Sequence, residues 1–105
     1  MKLAVLYVPI SGISEAKELL SRLIEARLIA CGNIISTGIS IYEWEGKLVE
    51  ENEVYILMKT RAELLPELKE KIGHLHPYSV PCLIQLSVEQ VNQAYLEWVY
   101  QQTNT

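Results

Sequence analysis

The sequence holds 105 residues, half of them hydrophobic, which suits one globular domain over residues 1–105 with enough core to fold without a metal or covalent staple. Nine Lys and Arg against thirteen Asp and Glu leave a net charge of -4, and the basic residues are scattered, so the cationic footprint of nucleic-acid binding is excluded. No run approaches the roughly 20 apolar residues of a membrane span and the N-terminal apolar run is too short for a signal peptide, so a soluble cytoplasmic protein with no membrane partner is expected.

KLAVLYV, bounded by Pro9 and the loop residues Ser11 and Gly12, reads as a strand covered on both faces. A helix follows with Ser14 as its expected N-cap and Glu15 and Glu18 near the positive end of the dipole. Its apolar stripe is Ala16, Leu19, Leu20, Leu23 and Ile24, and Arg22, Glu25 and Arg27 take the wet face. From Cys31 to Trp44 the period is two, with Ile35, Thr37, Ile39 and Ile41 on one face and Ser36, Gly38, Ser40 and Tyr42 on the other. EWEGK supplies a turn, and VYILM at 54–58 the return arm of a hairpin. Each arm exceeds the usual five or six residues, so the hairpin is expected to project from the domain.

Thr60-Arg-Ala-Glu63 has the form of a capping box ahead of a second helix with Leu64, Leu68, Ile72 and Leu75 inward. Pro66 places the regular start near Glu63 or Leu64, with the proline in the first turn. Gly73 and Pro77 mark the helix end. Val80, Cys82, Ile84, Leu86 and Val88 then alternate with Pro81, Leu83, Gln85, Ser87 and Glu89 as a fourth strand, and Val91, Ala94, Tyr95, Trp98 and Val99 define a last amphipathic helix. The first six elements run β-α-β-β-α-β. That is the α+β, ferredoxin-like order, in which two helices cover one face of a four-stranded antiparallel sheet. Because residues 54–58 are apolar on both sides of their strand, one C-terminal helix is too little to shield the second face. Another subunit is expected there, and the hairpin tip with Tyr42 and Trp44 offers strand edges for pairing.

The segments ARLIACGNI at 26–34, SIYEWEGKL at 40–48, MKT at 58–60, HPYSVP at 76–81 and NQAYLEWV at 92–99, taken together, resemble the CutA family of divalent-cation tolerance proteins, in register from about Leu19 to the C-terminus. The resemblance implies a ferredoxin-like fold, a homotrimer built by strand pairing between subunits, and divalent cations, copper above all, as ligands. That trimer is in turn similar to the PII signalling proteins, which bind small effectors between subunits. The family pattern is HPYEVPE, where this chain has Ser79 and Cys82 in place of the two glutamates, and Gly32 stands where the family has Val. The resemblance thus implies a site that has exchanged carboxylate for hydroxyl and thiol.

HLHPYSVP at 74–81 carries two readings. His76 is a metal ligand with an imidazole lone pair, or it closes the helix C-terminus. His74 reads as a surface residue of the last helical turn. Cys82 is either a small core hydrophobe on the face of Val80 and Ile84 or a soft ligand for copper(I) or zinc, and Cys31 divides in the same way. Tyr42, Trp44 and Tyr78 line a ligand cleft or pack a subunit interface. Glu53 is expected in an ion pair between subunits with a lysine such as Lys59 or Lys47.

There is no nucleophile elbow, phosphate loop or zinc-protease motif, so the chain reads as no enzyme. The expected function is a CutA-like trimer of copper and divalent-cation tolerance that binds metal through His76, Cys82 and Cys31. The alternatives are a PII-like sensor taking a small effector between subunits and a structural trimeric scaffold.

Overall fold

A computed structural model describes residues 1–103. Strand β1 (Leu3–Ile10), helix α1 (Ile13–Glu25), β2 (Cys31–Trp44), β3 (Lys47–Arg61), α2 (Leu65–Leu75), β4 (Ile84–Leu86) and α3 (Gln93–Gln102) follow in that order. The sheet is antiparallel throughout, ordered β2-β3-β1-β4. The ferredoxin-like expectation holds, with α3 added beyond it.

The core lies between one sheet face and the helices α1 and α2. Leu6, Val8, Ile10, Ile56 and Met58 from the central strands meet Leu23 of α1 and Leu68 and Ile72 of α2, all fully buried. Gly32 permits this closure on β2, because a Cβ there would stand 2.3 Å from Leu20 Cδ2. The opposite face carries a smaller cluster in which Leu96 and Val99 of α3 cover Leu3 and Ala30. Arg61 fastens α3 down, its guanidinium 4.2 Å from the ring centre of Tyr100 and its Nε–H donating to Thr103 Oγ1 at 2.8 Å.

Several local expectations give way. The N-cap of α1 is Gly12, not Ser14, which lies within the helix. Ile24 falls outside the buried stripe and is exposed. No capping box forms at Thr60: that residue is still in β3 and buried, and its hydroxyl donates to the Leu28 carbonyl at 2.7 Å. A single 3₁₀ turn (Ala62–Leu64) intervenes, and α2 begins with Pro66 in its first turn as expected.

The second strand departs most. Ile35 pairs with Tyr55 and Gly38 with Glu53, so β2 advances three residues while β3 advances two. The extra residue is a bulge, with Thr37 at φ +63°. It flips the alternation, so Ile35 lies on the face opposite to Ile39 and Ile41 rather than sharing theirs. Beyond the bulge the hairpin closes through Glu45 and Gly46, both at positive φ, as a two-residue turn of the primed kind requires. The chain measures 46 × 27 × 22 Å with a Cα radius of gyration of 14.5 Å, above the roughly 13 Å of a compact domain of this length. The projecting hairpin accounts for the excess.

The fourth strand is three residues long rather than the ten expected over 80–89. Among the described residues it pairs only with Val5, Leu6 and Tyr7 at the sheet edge, and on either side of it no neighbouring strand of those residues holds the chain extended. Val80 is accordingly 85% exposed.

Candidate functional site

Where the hairpin leaves the body, a series of hydrogen bonds crosses the sheet. Pairing between β1 and β3 ends at Ile10 with Val54, so Glu53 is the first residue of β3 held by β2 alone. From the corner after α2, Tyr78 donates its hydroxyl to Glu53 Oε2 at 2.9 Å, and Ser40 on β2 donates to Glu53 Oε1. Burial, reinforced by that bond and by the charge of Glu53, pushes the Tyr78 phenol above its ordinary range.

His76 holds Tyr78 in place. Its ring is buried, with Nε2 2.9 Å from the Pro9 carbonyl, and Nδ1 accepts the Tyr78 backbone N–H at 3.1 Å. A carbonyl only accepts, so Nε2 carries the proton and the Nδ1 lone pair is the one spent on Tyr78. The two rings also meet edge to face, centroids 4.7 Å apart. Neither nitrogen offers a free lone pair to a metal in this fold. A metal ion would have to displace the Tyr78 amide to reach Nδ1.

The expected partners of His76 are elsewhere engaged. Cys31 lies under α3, its Sγ 3.2 Å from Tyr95 Oη, and burial followed by this contact pushes the Tyr95 phenol up to about 12. Cys82 is exposed, which overturns its reading as a core hydrophobe. Among the described residues no three His, Cys, Asp or Glu side chains are placed to hold a metal ion. Within one chain, then, His76, Cys82 and Cys31 are not gathered into a metal site. His74 is exposed on the last turn of α2, as expected. Lys59 donates to Asn33 Oδ1 beside Cys31, and within the chain Glu53 is satisfied by hydroxyls instead of a lysine.

The face opposite α1 and α2 stays largely uncovered. Tyr7 and Tyr55 stack there with centroids 5.8 Å apart, and Ile35, Ile84 and Leu86 beside them are 49%, 49% and 40% exposed. Past the bulge this face continues into Tyr42 and Trp44 near the hairpin tip, the latter 63% exposed. Tyr42 is bonded to Glu51 within the hairpin. A cleft of about 460 Å³ opens between the loop after β1 and the bulge, lined by Ser11, Ile13, Thr37, Ile39 and Glu53 among others. Sequence reasoning missed Ser40, Pro9 and the Tyr7–Tyr55 stack. Only Gly38, a glycine inside a strand pattern, signalled the bulge.

Residues 4–102 match the family model described as CutA1 divalent ion tolerance protein. The chain belongs to the CutA family. The divalent-cation tolerance protein CutA of Pyrococcus horikoshii is 40% identical over 99 residues, covering 94% of this chain and 96% of that one. Protein CutA of Mus musculus is 47% identical over 90 residues, or 86% of this chain, and this chain spans about half of the mouse protein, 51% of its length. The crystal structure of CutA1 from Ehrlichia chaffeensis superposes with a TM-score of 0.97 at 31% identity, covering 99% of this chain and 97% of that one. A CutA family chain is thus seen here with its hairpin extended and its second sheet face covered only in part, by α3.

Proposed function

We propose that this CutA family chain works without catalysis in divalent-cation tolerance, as a homotrimer whose subunits cover one another's open sheet faces. The apolar face carries this reading: Tyr7, Tyr55, Ile35, Ile84 and Leu86 form one continuous surface on a chain of net charge -4, and exposed apolar surface of this kind marks a protein contact. The role in cation tolerance is taken from the family and from the relatives that bear that description. Since one chain holds no ligand trio among its described residues, metal capture falls to groups gathered by assembly, with the exposed Cys82 thiol as the accessible soft donor.

Complementation tests this. In a strain lacking its own CutA protein, the wild type is expected to restore growth at raised copper or zinc, and Ile84→Glu, which places a charge on the open face, is not. Equal rescue by both would remove assembly from the function.

A second reading, a PII-like sensor, is favoured by the cleft between the β1–α1 loop and the bulge. A thermal-shift screen separates the two, because a ligand of the native state raises the midpoint. Stabilisation by a metabolite and by no metal favours the sensor, and the reverse favours cation binding.

A further inference from the structure

The projecting hairpin is a two-stranded ribbon, which is marginal in isolation, and it leaves the body at a bulge, the kind of irregularity that bends and twists a strand. Its direction is therefore not set by the ladder alone. At that level the structure supplies a tie. One end is Tyr78, which His76 anchors to β1 through the Pro9 carbonyl. The middle is Glu53, the first residue of β3 past the pairing with β1. The other end is Ser40 on the hairpin's own arm. The two oxygens of one carboxylate thus join the body to the ribbon, and the ring of Tyr55 backs the junction by lying against Gly38.

We infer that Tyr78, Glu53 and Ser40 are positioning residues that fix the angle of the β2–β3 hairpin and so present Tyr42 and Trp44 in the orientation assembly needs. The carboxylate is suited to this because it accepts from both hydroxyls at once, and hydrogen bonds to a charged acceptor are stronger than neutral ones. Without the tie the ribbon samples many directions, and association must then order it at an entropic cost. The consequence for subunit contact rests on the homotrimer reading above. The tie itself does not.

Two readouts keep them apart: hydrogen exchange of the hairpin amides, residues 39–48, and the rate of subunit exchange when labelled and unlabelled proteins are mixed and followed by native mass spectrometry. In Tyr78→Phe, which keeps the ring against His76, and in Ser40→Ala, hairpin amides are expected to exchange faster. Subunit exchange should rise on the order of tenfold, the effect of losing one hydrogen bond to a charged group. Glu53→Gln retains one acceptor for Tyr78 and one donor for Ser40, so it should fall between the wild type and Glu53→Ala. Tyr100→Phe, which removes a phenol bonded to Glu63 and to the Lys2 backbone, should leave hairpin exchange at the wild-type rate. Hairpin protection unchanged in both Tyr78→Phe and Ser40→Ala would overturn the inference. A monomeric wild type would sink the homotrimer reading, and faster hairpin exchange in the variants would still support the tie.

Discussion

Gly38 lies against the ring of Tyr55 so closely that a Cβ on it would stand 2.0 Å from Tyr55 Cε2. The contact sits across the bulge, where β2 changes face, and it fills the space between strand backbone and ring that a side chain would otherwise take. Gly38→Ala must therefore push the ring aside, and with it the stack on Tyr7. Overpacking of this sort costs about 1–3 kcal/mol. The expected result is a lower apparent Tm at fixed chain concentration. An unchanged Tm would mean that the ring moves freely and the stack is not a fixed part of the face.

His76 should matter to the metal-free protein. With one ring nitrogen on the Pro9 carbonyl and the other on the Tyr78 amide, His76→Ala leaves two backbone groups without partners in a buried corner, a loss of about 1–3 kcal/mol for each group left unsatisfied. Chelator-treated wild type and variant compared by guanidinium denaturation should differ by that order. If the two unfold together without metal and differ only with copper present, His76 is a ligand first and a corner residue second.

Two phenols give the protein an alkaline limit. Tyr95 is pushed up to about 12 by burial and by its contact with Cys31, and Tyr78 is raised by burial and by Glu53. The neutral phenol is the form the fold favours. Its contribution is complete below the unfolded value of about 10 and is lost as pH rises toward the folded value. The apparent Tm should fall between about pH 10 and 12, and the fall should be shallower in Tyr95→Phe, which has no proton to lose. Identical slopes for wild type and variant would show that Tyr95 titrates as it does in the unfolded chain.

Trp44 and Trp98 offer a paired comparison. Trp44 stands 63% exposed near the hairpin tip, while Trp98 is 39% exposed on α3 with its ring 5.6 Å from that of Tyr95. Trp44→Ala is expected to raise the concentration at which the assembly dissociates more than Trp98→Ala does, since aromatic anchors at the centre of an interface carry much of its energy. Equal shifts would take the hairpin tip out of the interface.

The element order and the long first arm of the hairpin were legible in the sequence because period-two and helical spacing are local properties, whereas the return arm, read from the apolar run 54–58, extends over Lys47–Arg61. What failed was set by neighbours distant in the chain. Thr60 reads as a helix cap until the Leu28 carbonyl, 32 residues away, claims its hydroxyl. Ser14 loses the cap to Gly12, a shift of two residues at a helix start where backbone geometry decides. Alternation at 80–89 suggests too long a fourth strand because it says nothing about whether a partner strand is present, and only β1 residues 5–7 meet it. The candidate site was legible in its residue types and not in its bonds. Tyr78, Glu53 and His76 were singled out, but the link from the Pro9 carbonyl to Ser40 depends on how β1, β2 and β3 meet at the bulge.

The open sheet face is the feature from which the proposed assembly follows, and the mass of the native protein in solution tests it most directly. Light scattering on the purified chain, across a dilution series, is expected to return three times the chain mass of 12.0 kDa at every concentration used for purification. A mass near 12.0 kDa, with the apolar face left to water, would contradict the account.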